Sequence, residues 1–149
     1  MLRRFSANFA VFSIFLDAIL IDFALGLAAI FRMPLNALSF VSPMSDPVQL
    51  PGVLFGIFPF LWIGVLLLFS VYDGRLNLRW VDEFGSLLLG SMLAAVSMAG
   101  VLYFSYREVS RFLFLFFVGL GFFFLLAWRV IMRFYFRRRR LYGLEHRLV

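Results

Sequence analysis

Four long stretches of apolar residues, separated by short polar breaks, dominate the chain. The stretches cover approximately residues 9–31, 52–71, 84–104 and 111–136. Because a helix rises ~1.5 Å per residue, a stretch of about 20 residues crosses a hydrocarbon core of ~30 Å. The pattern therefore predicts an all-α membrane protein in which four transmembrane helices form an antiparallel bundle, with a short basic tail over residues 137–149.

Proline and turn-forming residues define the breaks between these stretches. Four of the five prolines lie within residues 33–51, where they favour an extended loop because proline cannot continue a helix. Asp73 and Gly74 form a turn pair between the second and third stretches. Pro59 lies inside the second stretch and is expected to kink that helix without ending it, since membrane helices tolerate such prolines.

The first stretch resembles a signal peptide only in its basic start. A signal peptide has an apolar region of ~7–15 residues, whereas this stretch is longer and contains Asp17 and Asp22. We therefore expect it to be retained as a transmembrane helix.

Composition excludes most other classes of protein. The chain has 149 residues, of which 64% are hydrophobic and only 15% are charged, whereas about a quarter of a soluble domain is charged. There are no cysteines, and His146 is the one histidine. Disulfides, thiolate metal sites and cysteine nucleophiles are thereby excluded. The sequence predicts no catalytic residue, no metal site and no cofactor.

The basic residues indicate how the chain is oriented across the membrane. All fourteen are arginines. With four spans, ten lie on the side of the two termini and three on the opposite side, while Arg129 lies inside the last span. The positive-inside rule then places both termini in the cytoplasm. Since the arginines flank membrane spans and do not line one soluble face, nucleic acid is not an expected partner.

Charged residues inside the spans are the candidates for a special role. A charge at mid-bilayer costs ~2.5–3.5 kcal/mol on insertion scales, so such residues normally face a partner. Asp17 and Arg129 lie at similar depths from the same membrane surface, and we predict that they form an intramembrane ion pair between the first and last helices. Asp22 lies deeper, and a hydroxyl or water is its expected partner. A proton or ion pathway is the alternative, which the lack of a chain of acidic groups disfavours.

Four consecutive arginines follow the last span. Arg137, Arg138, Arg139 and Arg140 are predicted to contact anionic lipid headgroups, at about 1 kcal/mol per residue near the surface. Anchoring of the helix end is an overlapping interpretation. An anionic bilayer is thus the first expected partner.

Small residues at four-residue spacing indicate close helix approach. Gly52 and Gly56 form one such pair, and Ser91, Ala95 and Ala99 form a second series. Packing within the bundle is the favoured interpretation, and the face of a homo-oligomer is the alternative.

Asp82 and Glu83 are adjacent carboxylates ahead of the third stretch. Acidic residues are favourable at the positive end of a helix dipole. A catalytic pair is disfavoured because neighbouring side chains on a helix diverge and no Lys, Cys or His is near in the sequence to complete a site.

Three segments carry a family resemblance: LFSVYDGRLNLRWVDEF (68–84), YREVSRFLFLFF (106–117) and WRVIMRFYFRRRRLYGLEHRLV (128–149). They resemble the N-terminal membrane region of bacterial polyprenyl glycosylphosphotransferases, the enzymes that initiate exopolysaccharide and O-antigen synthesis. The resemblance covers essentially the whole chain. The matching positions are Tyr72, Arg75, Asp82, Glu83, Ser110, Arg111, Arg129 and Arg133.

The resemblance implies a function that the chain does not perform alone. In that family a Rossmann-like cytoplasmic domain and a membrane-associated transferase domain follow the membrane region, and none of the family's catalytic residues has a counterpart here. The chain is therefore expected to be the anchor of a sugar-phosphate transferase in the bacterial inner membrane, whose partners are a cytoplasmic transferase domain or polysaccharide-assembly proteins. The alternatives are the anchor of a nucleotide-sugar epimerase or dehydratase, a small oligomeric four-helix transporter, and a free-standing scaffold.

Overall fold

The computed structural model describes the backbone of residues 2–32, 34, 50–72, 80–106 and 109–145. Side chains are described for residues 8, 10–32, 34, 50–72, 81–106 and 109–135. Over these ranges the regular structure is helical, and its elements are α1 (Leu2–Phe31), α2 (Leu54–Leu68), α3 (Trp80–Ser105) and α4 (Arg111–Glu145).

Three of the helices are long and apolar enough to cross a membrane. Their apolar portions are Ala10–Phe31 in α1, Val81–Ser105 in α3 and Arg111–Tyr135 in α4. Each has more than the ~20 residues that a hydrocarbon core requires. Three apolar helices of this length indicate a membrane protein, as the sequence pattern predicted.

The helices extend beyond the apolar stretches used to predict them. α1 begins at Leu2, α3 begins at Trp80, and α4 continues to Glu145. The predicted bounds 9–31, 84–104 and 111–136 described membrane spans, and the apolar portions Ala10–Phe31 and Arg111–Tyr135 agree with the first and last of them to within one residue. The physical reason is that hydropathy marks the part of a helix that suits lipid, whereas arginine is a good helix former and lets the backbone helix continue into a polar environment. The expected tail over residues 137–149 is helical through Glu145.

α2 is shorter than the predicted 52–71. Its 15 residues span only about 22 Å, less than the ~30 Å of a hydrocarbon core. The helix ends because Ser70 adopts a left-handed backbone, with φ of 52°. The Ser70 N–H donates to the Leu67 carbonyl and the Val71 N–H to the Leu66 carbonyl, which together form a Schellman motif. Serine in place of the usual glycine hides this ending from sequence inspection.

Pro59 lies within α2. The helix continues through it, as predicted, although proline supplies no N–H for the carbonyl of Phe55. Pro59 is buried, as are its neighbours Phe58 and Trp62. The proline ring is thus accommodated inside the helix packing.

Each helix has its most extensive contacts with two others. α1 contacts α2 and α4, and α3 contacts the same two helices, so that the four surround one apolar core. The core residues recur every three or four positions, which places them on one face of each helix. They are Ile21, Ala24, Leu25 and Ala28 on α1; Leu54, Phe58, Trp62, Val65 and Leu66 on α2; Leu87, Ala94, Met98 and Leu102 on α3; and Leu113, Phe117 and Leu125 on α4.

Large apolar side chains also cover the outside of the helices. Phe60, Leu68, Val96 and Phe104 are each at least 70% exposed. A monomeric soluble protein rarely exposes contiguous apolar surface on this scale. The outer surface is therefore suited to contact with lipid chains.

The small-residue series do not pack as predicted. Gly52 and Gly56 are exposed, and no described atom of another element lies within 4 Å of the position a Cβ would take. Ser91 is buried, but Ala99, two steps along its series, is exposed. Ala99 lies about 80° around the axis of α3 from Ser91, which places it outside the packed face of this helix.

Candidate functional site

A buried carboxylate on α1 is the centre of the candidate site. Asp17 has no solvent-accessible surface. Its Oδ2 accepts hydrogen bonds from Arg129 Nη2 at 2.6 Å and from the Tyr72 hydroxyl at 2.6 Å. Its Oδ1 accepts a third from Trp128 Nε1 at 2.7 Å. One side chain of α1 thereby joins α4 to the segment that follows α2.

Arg129 is the principal cation of this cluster. It is only 7% exposed, and its guanidinium carbon lies 5.4 Å from the centre of the Tyr72 ring and 5.8 Å from that of Trp128. Arginine over an aromatic face gains a cation–π interaction. Its Nη1 lies 3.9 Å from Glu83 Oε1, too far for a hydrogen bond but near enough for electrostatic attraction.

The cluster continues toward the ends of α3 and α4. Glu83, in the first turn of α3, accepts a hydrogen bond from Arg133 Nη2. The two carboxylates of Asp17 and Glu83 thus face the two guanidinium groups of Arg129 and Arg133. The formal charges within this group of four cancel, which lowers the cost of keeping it out of water.

Local structure places each member. Trp128 and Arg129 are neighbours on α4, and both reach Asp17 because α1 lies against α4. Tyr72 is held in place by the Schellman turn around Ser70, since the two hydrogen bonds of that turn fix the direction of the chain leaving α2. Val71, next to Tyr72, is buried and anchors the same turn in the core.

The Tyr72 hydroxyl donates to a carboxylate at the edge of the cluster. Burial raises the pKa of Tyr72 above its usual value, and the adjacent Asp17 carboxylate raises it further. The neutral phenol is therefore the form that the cluster requires. In that form it can serve as hydrogen-bond donor to Asp17 at all ordinary pH values.

Asp22 is not part of this cluster. Its Oδ1 is buried and accepts no hydrogen bond from any residue within the described ranges. Of the two predicted partners, a hydroxyl or water, no hydroxyl of the described residues reaches this oxygen. Because α1 turns by about 100° per residue, Asp17 and Asp22, which are five positions apart, point about 140° away from each other around the helix.

The opposite end of the helices carries a second buried cation. Arg32, directly after α1, is 1% exposed, and its Nε donates to Ser110 Oγ at 3.2 Å, just ahead of α4. Between the two ends, Trp62 Nε1 donates to Ser91 Oγ at 3.2 Å. This hydrogen bond satisfies two buried polar groups that join α2 to α3.

The arginine cluster after the last span has a defined backbone. Arg137, Arg138, Arg139 and Arg140 belong to α4, while their side chains, and with them the predicted lipid contacts, lie outside the described residues. The same holds for the Asp73–Gly74 turn and for Arg75, whose whole residues lie outside the described ranges.

The sequence paired Asp17 with Arg129, and the structure brings these two side chains into contact. Sequence inspection missed Tyr72 and Trp128 as donors to Asp17. Tyrosine and tryptophan near the ends of membrane spans combine an apolar ring with a polar tip that needs a partner, but the sequence does not indicate which partner each one reaches. Glu83 was predicted as a helix-start residue only, and its bond to Arg133 was missed.

The arrangement is suited to holding helices together. Both cluster carboxylates are occupied by arginine donors. Among the residues with defined positions, no group of three or more His, Cys, Asp or Glu lies close enough together to hold a metal ion. The chemistry that the cluster supports directly is ionic pairing and hydrogen bonding.

Comparisons with protein-family models, with curated proteins and with solved structures find no match to this chain.

Proposed function

We propose that the chain is the membrane-anchoring N-terminal domain of a bacterial sugar transferase that initiates exopolysaccharide or O-antigen synthesis, a polyprenyl-phosphate glycosylphosphotransferase. On this proposal it lies in the inner membrane and is not catalytic by itself. The observation that carries the anchoring role is the contact between Asp17 and Arg129, which ties α1 to α4 just ahead of the arginine-rich part of α4.

Energetics support a structural role for the cluster. Breaking a buried ion pair by removing one partner costs about 3–5 kcal/mol, because the other charge stays buried. Asp17 has three donors, so its charge is well compensated in place. A transporter carboxylate has to release its partner to carry an ion, and the occupancy of Asp17 therefore favours anchoring over transport.

The proposed topology is four antiparallel spans with both termini in the cytoplasm. One support is the arginine distribution, because ten arginines lie on the side of the two termini and three on the other side. The other support is the ionic cluster around Asp17. Asp17, Tyr72, Glu83 and Arg129 come from four different parts of the chain and meet at one level. Strictly alternating helix directions account for this meeting. In this topology α2, which is ~22 Å long, crosses with help from the apolar residues that flank it.

The proposed link to a cytoplasmic domain is α4 itself. After Tyr135, where its apolar portion ends, the helix continues from 136 to 145. That extension is about 15 Å of helix, and it carries Arg137–Arg140. We propose that these arginines lie against anionic headgroups, where each contributes about 1 kcal/mol.

Reporter fusions test the topology. Alkaline phosphatase, active only outside the cytoplasm, and a fluorescent protein, active only inside, are fused after residue 50, after residue 78, after residue 109 and at Val149. The proposal expects fluorescence at 78 and at Val149, and phosphatase activity at 50 and at 109. Phosphatase activity at Val149 would contradict the fourth crossing, and identical readouts at 50 and 78 would show that α2 does not cross.

The coding DNA beyond the Val149 codon tests the assignment to a sugar transferase. The expected finding is a reading frame for a domain that moves a sugar phosphate from a nucleotide sugar to a polyprenyl phosphate, shown with radiolabelled nucleotide sugar in membranes expressing the whole gene. A domain that only epimerises or dehydrates the nucleotide sugar would replace the proposal with the epimerase-anchor alternative. A stop codon followed by unrelated sequence would refute both.

A further inference from the structure

Asp22 lies within the apolar portion of α1 without an ionic partner. That portion runs from Ala10 to Phe31, which places Asp22 near its middle. No salt bridge among the described residues includes Asp22, and its buried Oδ1 accepts no hydrogen bond from them. An unpartnered carboxyl group at this depth is costly, because hydrocarbon offers no hydrogen-bonding group in place of water. Asp22 is therefore expected to have a partner beyond the contacts within one copy of the chain.

Asp22 lies where the packed face of α1 meets the face turned toward lipid. It points about 140° away from Asp17, which is fully buried in the ionic cluster. Asp22 is partly exposed, although its Oδ1 is buried. A helix that approaches α1 from the membrane can therefore reach this residue without opening the bundle.

The neighbours of Asp22 on this face form a seam suited to helix pairing. Phe15, Ile19, Asp22 and Gly26 follow one another at intervals of four, three and four residues, the spacing that lines one side of a left-handed helix pair. Phe15 is 69% exposed and Ile19 is 50% exposed. No described atom of another element lies within 4 Å of a Cβ at Gly26, so that a second helix can approach the backbone closely there. The seam thus combines two large apolar side chains, one carboxyl group and one gap.

A second copy of the same chain supplies a matching partner at the matching depth. In a two-fold dimer whose axis runs along the membrane normal, each residue on the contact line of α1 lies opposite its own equivalent. A carboxylate that finds no cation in hydrocarbon is expected to hold a proton, and the protonated group has both a donor and an acceptor. Asp22 is therefore self-complementary. A different protein would have to carry a suitable donor at this one depth, whereas a second copy carries it by symmetry.

We propose that Asp22 joins two copies of this chain in the membrane, through reciprocal hydrogen bonds between the two Asp22 carboxyl groups along a parallel α1–α1 contact. Gly26 lies about one turn away on the same side and lets the two helices come close enough for these bonds. The dimer also removes Phe15 and Ile19 from lipid. The contact rests on α1 alone and is independent of the sugar-transferase assignment.

Cysteine cross-linking in membranes tests the location of the contact. The chain has no cysteine, so that a single introduced cysteine forms a disulfide only between copies. Ile19→Cys places a thiol on the seam, about one turn from Asp22. Val96→Cys is the matched control, because Val96 on α3 is 70% exposed but lies outside the seam. Oxidation with copper phenanthroline should convert most of Ile19→Cys into a cross-linked dimer and leave Val96→Cys largely monomeric.

Dissociation constants test the role of the carboxyl group. They are measured on the full chain in lipid vesicles, by single-molecule photobleaching at decreasing protein density. Asp22→Leu should weaken dimerisation by about tenfold, which corresponds to ~1.4 kcal/mol of lost hydrogen bonding between helices. Asp22→Asn should retain the affinity to within about threefold, because an amide is also both a donor and an acceptor.

A second pair of variants tests the close approach of the two helices. Gly26→Leu fills the gap in the seam and should weaken dimerisation. Gly100→Leu is the matched control on α3, since a Cβ at Gly100 also has no described atom of another element within 4 Å, and it should leave the dissociation constant unchanged. Equal effects of the two substitutions would overturn the proposal.

Several further results would overturn it. Equal cross-linking of Ile19→Cys and Val96→Cys would show random collisions, and monomers at every protein density would exclude the dimer. Unchanged or tighter association in Asp22→Leu would show that the carboxyl group does not join the copies. A loss in Asp22→Asn as large as that in Asp22→Leu would exclude reciprocal hydrogen bonding. The unfolding temperature of each variant is measured first, and Asp22→Leu should not lower it, because an apolar side chain there replaces an unpartnered polar one.

Discussion

Gly121 on α4 lies directly against the indole ring of Trp62 on α2. A Cβ at position 121 would stand 2.7 Å from Trp62 Cη2 and 2.9 Å from Cζ3, closer than van der Waals contact allows. The ring has little freedom to move. Its Nε1 is held by Ser91 and its edge meets Phe117 at a centroid distance of 5.6 Å.

Gly121→Ala should therefore destabilise the protein, by about 1–3 kcal/mol, the usual cost of overpacking a filled core. The chain offers a matched control on the same helix. No described atom of another element lies within 4 Å of a Cβ at Gly119, so Gly119→Ala should be neutral or stabilising by up to ~1 kcal/mol from helix propensity. Thermal unfolding in detergent, followed by circular dichroism, gives both values. Equal effects of the two substitutions would contradict the close Trp62 contact.

Asp17 and Arg129 should behave as a coupled pair. Arg129→Ala is expected to cost about 3–5 kcal/mol, since Asp17 is left buried without its cation. Adding Asp17→Ala to that variant should cost little more, because the charge that lacks a partner is then removed. A double-mutant cycle in the same unfolding assay measures the coupling. Asp82→Asn, which removes an exposed carboxylate from α3, is the control and should stay within ~0.5 kcal/mol of the wild type. Additive losses for the pair would refute the coupling.

Tyr72 should make stability fall at alkaline pH. Burial and Asp17 raise its pKa in the folded protein, so the folded state holds the phenol proton where the unfolded state, with a pKa of about 10, releases it. The stabilisation is complete below pH ~10 and is lost as pH rises above that value. The unfolding free energy of Tyr72→Phe should decline less steeply at alkaline pH. Because Tyr72 ionises only well above pH ~10 in the folded protein, the tyrosinate absorbance of the two folded proteins should differ only above that pH. An identical decline in both proteins would show that Tyr72 does not contribute.

Ser70 ends α2 in a conformation that strongly disfavours branched side chains. A left-handed backbone costs a residue other than glycine about 1–2 kcal/mol, and a β-branched residue is a genuine outlier there. Ser70→Val should thus be less stable than Ser70→Gly by at least ~1 kcal/mol. The comparison between the two variants cancels the loss of the serine hydroxyl. Since Tyr72 follows this turn, Ser70→Val should also weaken the contact between Tyr72 and Asp17, which the tyrosinate difference reports.

The sequence was sufficient to find the two charges of the central pair. Asp17 and Arg129 are conspicuous because each interrupts an apolar stretch, and their depths follow from the fixed rise of a helix. It was insufficient to find the remaining donors. Tyr72 reaches Asp17 only because of the turn at Ser70, and Trp128 only because of the rotation of α4 about its axis. Neither the turn nor the rotation leaves a mark in the hydropathy pattern.

The contact between Arg32 and Ser110 could have been predicted by the same argument from depth. Arg32 follows the apolar stretch of α1, and Ser110 precedes that of α4. Equal depth would therefore have placed these two residues together at the other end of the helices, as it placed Asp17 beside Arg129. The spacing of Ser91, Ala95 and Ala99 misled in the other direction. Ser91 is buried and Ala99 is exposed, whereas the residues at the same spacing on α4, Leu113, Phe117, Gly121 and Leu125, are all buried, so that small residues at this spacing do not by themselves identify the packed face.

Because α4 is unbroken, a tilt of this helix about the Asp17–Arg129 contact would move its C-terminal end. From Arg129 to Glu145 the helix extends for about 24 Å. A tilt of ~10° about that contact would shift the Glu145 end sideways by about 4 Å. Bilayer thickness, to which helices respond by tilting, would in this way be converted into the position of whatever the helix end carries.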